Sequence, residues 1–192
     1  MGSVFPRIDD KIRAWISRQH IFFVSTAPLA EQGHINCSPK GGDSLRVVDD
    51  HTLIYLETAG SGVETIAHLR ENGRIVIMMC AFDGPPKIYR FHGHGDVVLS
   101  SHSDFAEFAA LFDNDLLGIR SVIRIKVDRV SDSCGFGVPL LDFCEERKAS
   151  RKWSEQHGAD AIRDYVAKKN LVSIDGLPGL TPEEAKTVSP VR

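Results

Sequence analysis

Apolar side chains at Ile8, Ile12, Trp15 and Ile16 recur at i, i+4, i+7 and i+8, with charged residues between them. That period predicts an amphipathic helix over about residues 7–19, with Pro6 suited to its first turn. From Ile21 the period changes. The β-rich run IFFVSTA stops at Pro28, a polar turn follows at Glu31–Gly33, and HINCS (His34–Ser38) alternates Ile35 and Cys37 against polar neighbours. Two such runs joined by a short turn predict a hairpin, broken by Pro39-Lys40-Gly41-Gly42. SLRVVDD (Ser44–Asp50) and TLIYLE (Thr52–Glu57) predict two more strands around a turn at Asp49–His51.

The second half repeats this mixture. VETIAHLREN (Val63–Asn72) carries a helical stripe and ends at Gly73, a helix stop. RIVIMMCAF (Arg74–Phe82) is apolar at nearly every position, as in a strand covered on both faces. Lys87–Leu99 predicts a long strand kinked at Gly93 or Gly95. Ser103–Phe112 predicts a helix capped by Ser103, and Val122–Asp132 a last clear strand. Residues 145–169 are charged and helical, with Trp153, Ile162, Tyr165 and Val166 as apolar contacts. Many short strands joined by polar turns exclude βαβ units. The fold expected is mainly β with α: a partly open antiparallel barrel of about six strands, flanked by helices. The domain expected is a single unit over residues 1–180, with 181–192 as a C-terminal tail that hugs the surface or moves.

Composition narrows the function classes. With 42% hydrophobic and 26% charged residues, the chain has enough apolar material for a core. A net charge of −3 argues against nucleic acid or an anionic membrane as partner. The longest apolar run, Ile75–Phe82, is too short to span a bilayer, and MGSVFPRIDD has no apolar signal-peptide core. A soluble, cytoplasmic protein is therefore expected. Cys37, Cys80, Cys134 and Cys144 lack CxxC spacing, and Cys37 and Cys80 read as buried strand thiols.

Two segments carry candidate chemistry. At Thr58–Thr65 a strand ends, a Gly-Ser-Gly turn follows and a helix begins. Unpaired backbone N–H groups and nearby hydroxyls make this either an anion site or an ordinary capped helix start. In SPKGG (Ser38–Gly42), Lys40 is either a solvated turn lysine or the cation for an anion held at the first turn. His92 and His94 share one strand face, but no third metal ligand accompanies them. No GxSxG elbow or paired-carboxylate spacing points to a hydrolase. CGFGVPLLDF (Cys134–Phe143) reads as a structural loop, or as one lining a flat aromatic ligand.

Taken together, FFVSTAPL, GHINCSPKG, TAGSGVETIAHLRENGRIVIMMCAFDGPP, the Arg90 strand ending Gly93-His94-Gly95, SCGFGVPLLDF and IDGLPGL resemble the pyridoxamine 5′-phosphate oxidase-like family of flavin-binding split β-barrels, over about residues 4–180. Within it the chain is most similar to a bacterial and fungal subgroup. The resemblance implies a homodimer with FMN at the subunit interface. Asn36, Cys37, Ser38 and Lys40 would run along the flavin to its phosphate. Thr58, Ser61, Gly62, Val63 and Thr65 would hold the phosphate, and Met79, Cys80 and Arg90 would lie near the ring or the neighbouring subunit.

The chain also departs from the pattern of the pyridoxamine phosphate oxidases themselves. Ile35 stands where they carry an Arg, and Gly-Val-Glu-Thr replaces their Arg-Lys pair at the helix start. The expectation is thus an FMN-dependent oxidoreductase whose substrate is a small organic molecule other than pyridoxamine phosphate. The alternative is a non-catalytic dimer that binds a flavin or deazaflavin. On this reading Lys40→Ala and Ser61→Ala weaken FMN binding and leave the fold intact.

Overall fold

The structure is a computed structural model and describes residues 2–112 and 117–190. A short β1 (Val4–Phe5) precedes α1 (Asp10–Ile16). Then come β2 (Phe22–Thr26), β3 (Asn36–Lys40), β4 (Leu45–Val47), β5 (Thr52–Thr58), α2 (Glu64–Asn72), β6 (Arg74–Cys80) and β7 (Ile88–Leu99). The chain continues through α3 (Phe105–Ala109), β8 (Leu117–Ser133), α4 (Ala149–Lys169), α5 (Pro182–Lys186) and β9 (Ser189–Pro190). All pairings are antiparallel, in the order β3-β2-β6-β7-β8-β5-β4, with β1 and β9 added to the long β8. The sheet curls until side chains of β3 reach β5, as in a split barrel.

Period-two alternation builds the two sides of this wall. On β5, Leu53 and Tyr55 enter the main core with Ile77, Phe91, Ile123 and Ile125, while Ile54 and Leu56 face the opposite way. There Phe105 and Phe108 of α3 cover them, together with Val98 and Val122. The main core is plugged by Ile8, Ile12 and Ile16 from the α1 region. In β6, Ile75, Ile77 and Met79 are buried, whereas Val76 and Met78 on the other face are half-buried. The expected kink lies at Gly93, where the β7–β8 register shifts and a Cβ would run into the Lys126 carbonyl. Gly73 ends α2 in the left-handed conformation at φ 72°, as expected of a helix stop.

Several local expectations are corrected. The first helix begins only at Asp10, because Asp9 caps it by accepting the Ile12 N–H at 2.8 Å, so Pro6 lies outside it. The third strand is Asn36–Lys40 and runs through Pro39 instead of breaking there. Pro39 is tolerated because β3 is the edge of the sheet, where an absent N–H breaks no ladder. Cys37 is exposed, not buried. The α3 N-cap is Asp104 rather than Ser103, and its side chain makes no capping bond to the helix, accepting instead from Ser103 and Arg124. Of the stretch read as a tail, residues 182–186 form a helix with a capping box at Thr181, and Ala185 and Val188 join the core. No helix among the described residues is long and apolar enough to cross a membrane.

Candidate functional site

Because β3 is extended, Asn36, Ser38 and Lys40 share one face, and this is the face turned toward the barrel seam. Asn36 donates to the Thr65 hydroxyl at 3.1 Å and to Thr26 at 3.3 Å, and accepts from Ser38 at 3.0 Å. Thr26 in turn contacts Nδ1 of His68 at 2.9 Å. His68 is fully buried with Nε2 unpartnered, and burial lowers its pKa, which favours the neutral ring.

Further along the seam, Lys40 Nζ donates to both Glu57 oxygens, at 3.1 and 2.9 Å. Arg120 on β8 donates to Glu57 Oε1 at 2.6 Å and, through its other terminal nitrogen, to the Gly62 carbonyl at 2.7 Å. Glu57 and Arg120 are each only 3% exposed, whereas the Lys40 side chain keeps 22%. Burial alone would raise the Glu57 carboxyl, but the charges of Lys40 and Arg120 overcome it and hold the pKa below its ordinary value. The group is therefore a carboxylate between two cations, with one net positive charge. The Tyr55 hydroxyl lies beside Thr65 and Glu57 without a well-formed hydrogen bond, and its pKa is raised by burial and by the Glu57 charge.

The start of α2 is differently arranged from the anion cradle that its sequence suggests. Val63 occupies the N-cap position without a capping bond and is buried against Gly179. The Glu64 carboxylate folds back over Gly62, where any Cβ would collide with it, and accepts the Ile174 N–H at 3.3 Å. Asn170, fully buried, donates to the Gly60 and Gly62 carbonyls at 2.9 and 3.4 Å. The helix start thus carries a carboxylate of its own and is strapped by the C-terminal segment. Ser61 remains exposed.

Next to Lys40 opens a cavity of about 1090 Å³, lined by His20, Gly41, Thr58, Phe143 and Arg147 among others. The segment after β8 forms one wall. It is tied on by the Leu141 N–H to the Phe82 carbonyl at 2.9 Å, and by the Gly42 N–H to Glu146 at 3.2 Å. His20 and Phe143 stack with ring centres 3.7 Å apart.

The structure brings Asn36, Ser38 and Thr65 into one network, with Lys40 on the same seam and Thr58 beside it at the cavity. It holds Gly62 by its carbonyl and not by its N–H. Met79 sits in the main core, Cys37 is on the outer face of β3, and Arg90 bonds Ser133 at 2.9 Å, three strands away from β3 in the sheet. Glu57, Arg120, His68 and Asn170 escaped the sequence reading. A signal existed for Glu57. It is the lone carboxylate of an apolar strand, in phase with Leu53 and Tyr55, and a buried carboxylate requires a cation. Nothing in the sequence says which cation.

Comparison with known proteins agrees with this architecture. The sequence profile described as pyridoxamine 5′-phosphate oxidase matches residues 8–134. The pyridoxamine 5′-phosphate oxidase family protein ustO of Aspergillus flavus is 37% identical over 196 residues, covering 94% of this chain and 78% of that protein. Two crystal structures of HupZ from Group A Streptococcus, one of them a single-substitution variant, superpose with TM-scores of 0.51 and 0.53 at 26% identity. They cover 64% and 66% of this chain and 91% and 99% of the streptococcal ones. On its sequence match and its split-barrel fold, the chain belongs to the pyridoxamine 5′-phosphate oxidase family.

Proposed function

We propose that this protein binds a flavin, FMN by preference, in the cavity beside Lys40, and that it is an oxidoreductase acting on a small organic substrate other than pyridoxamine phosphate. The observation that carries this reading is the Lys40–Glu57–Arg120 group, one net positive charge at the wall of a cavity large enough for a dinucleotide-sized or smaller cofactor. The donor set suits a phosphate monoester at the β3 end, where the Lys40 ammonium and Thr58 line the cavity. It does not suit one at the α2 start, where Glu64 stands. A bound flavin would supply hydride or electron transfer to the substrate. The protein's part is to neutralise the phosphate with Lys40, to fix β3 through the Asn36–Thr65 bond, and to wall the cavity with the His20–Phe143 stack.

The substrate exclusion rests on the missing cations, since Ile35 is 76% exposed and apolar, and Gly62 and Val63 offer no charge. A homodimer is part of the reading. Phe136 (82% exposed), Leu140 and Leu141 lie on the segment walling the cavity and would be covered by a second subunit. Cytoplasmic residence is supported by four free cysteines. The Glu64 carboxylate favours a second reading, a non-catalytic carrier of a flavin or deazaflavin, because it weakens phosphate recognition at the helix start. Titration of the purified chain with FMN, followed by visible absorbance and sedimentation, tests the first step. Saturable spectral change on a dimer is expected, and no change at millimolar FMN would refute it. Anaerobic photoreduction followed by a screen of oxidants then separates enzyme from carrier.

A further inference from the structure

We propose that Arg120 is a positioning residue which, by sharing Glu57 with Lys40, leaves the seam with one net positive charge and so sets the cavity's preference for a phosphate-bearing ligand. This rests on the flavin reading above. A lysine facing a buried carboxylate alone would form a neutral pair and present no charge to a ligand. Here the guanidinium takes Glu57 Oε1 at 2.6 Å, shorter than either Lys40 contact. Lys40 has three N–H donors and directs two contacts to that carboxylate, so one donor is left for a ligand. The lysine is also the only member of the three with appreciable exposure, and it lines the cavity. Arg120 acts on the other flank too: its second terminal nitrogen holds the Gly62 carbonyl, which fixes the loop after β5. Its Nε is buried and unpartnered, so the side chain is placed for these two contacts at a cost in desolvation.

Charge counting separates this role from simple packing, because two substitutions should act in opposite directions. Glu57→Gln keeps the shape and raises the group from one to two net positive charges. Arg120→Met keeps much of the volume and lowers it to zero. Damage to the fold would instead weaken every ligand alike.

The experiment measures FMN and riboflavin dissociation constants on the full-length chain by flavin fluorescence quenching, with melting curves for each variant. Riboflavin has the same ring system and lacks the phosphate. The ratio of riboflavin to FMN dissociation constants should rise about tenfold in Glu57→Gln, in keeping with the strength of one charge-assisted hydrogen bond. It should fall about tenfold in Arg120→Met and return toward the parent value in Arg120→Lys. Inorganic phosphate should displace FMN from the parent and leave riboflavin bound. An unchanged or lowered ratio in Glu57→Gln overturns the proposal, and this holds even where Arg120→Met fails to fold. If both flavins bind the parent but the ratio ignores these substitutions, the flavin reading stands and this one falls. If neither flavin binds, both fall.

Discussion

Replacing Lys40 by alanine tests the seam as a structural as well as a binding device. The side chain makes two contacts to Glu57, and its loss leaves a buried carboxylate with Arg120 as its one remaining charged partner. Breaking a buried ion pair typically costs about 3–5 kcal/mol. Lys40 is partly exposed and Arg120 stays in place, so a cost of about 1–3 kcal/mol is the better expectation. For a chain of this size each kcal/mol lowers the melting temperature by about 2–4 °C, giving a drop of roughly 2–12 °C at neutral pH. Sequence reasoning expected this substitution to leave the fold untouched, and the structure revises that. The pH dependence is the sharper part. The folded-state pKa of Glu57 is held below its ordinary 4.5, so the stabilisation is present above that value and disappears as pH falls through the folded pKa. Once Glu57 is protonated, Lys40 has nothing to attract. The difference between parent and Lys40→Ala in thermal melts followed by circular dichroism should therefore be largest near pH 7 and shrink below about pH 4.5. A variant that melts with the parent at pH 7, or a difference that persists undiminished in acid, would refute the assignment of Lys40 to Glu57.

Other perturbations probe the elements that position this seam. Asn170→Ala removes the donor to the Gly60 carbonyl and should destabilise by about 1–2 kcal/mol in urea unfolding, with FMN and riboflavin both bound more weakly as the 60–62 loop loosens. Gly93→Ala should destabilise by about 1–3 kcal/mol in the same assay, since its Cβ would meet the Lys126 carbonyl at the bulge. Gly137→Ala, with open space around the glycine, should not. Removing residues 181–192 takes Ala185 and Val188 out of the core and deprives Arg70 of Glu184. Thermal melts of the shortened chain should fall by several degrees, and an unchanged melt would show the segment to be a dispensable tail.

The sequence by itself determined the fold class and most of the elements. Hydrophobic period is a local property, so α1, α2 and most strands from Phe22 onward were readable to within a few residues, as were the stop at Gly73 and a bulge at one of two glycines, Gly93 or Gly95; β8, however, begins at Leu117, five residues before the expected Val122. Its motifs also carried the family. Where local cues misled, a long-range partner had decided. Ile35 and Cys37 look like the inward face of β3, yet Asn36, Ser38 and Lys40 turn inward, because β3 lies at the open seam and meets polar groups of α2 and β5 there instead of an apolar core. The helix start at Val63 looks like an anion site, but the neighbouring Glu64 folds back over it, and the segment from Asn170 to Gly179 closes over it from more than 100 residues away. Glu57 announced a need for positive charge. Only the curl of the sheet, which brings the end of β3 and the start of β8 to the end of β5, supplied Lys40 and Arg120 to meet it.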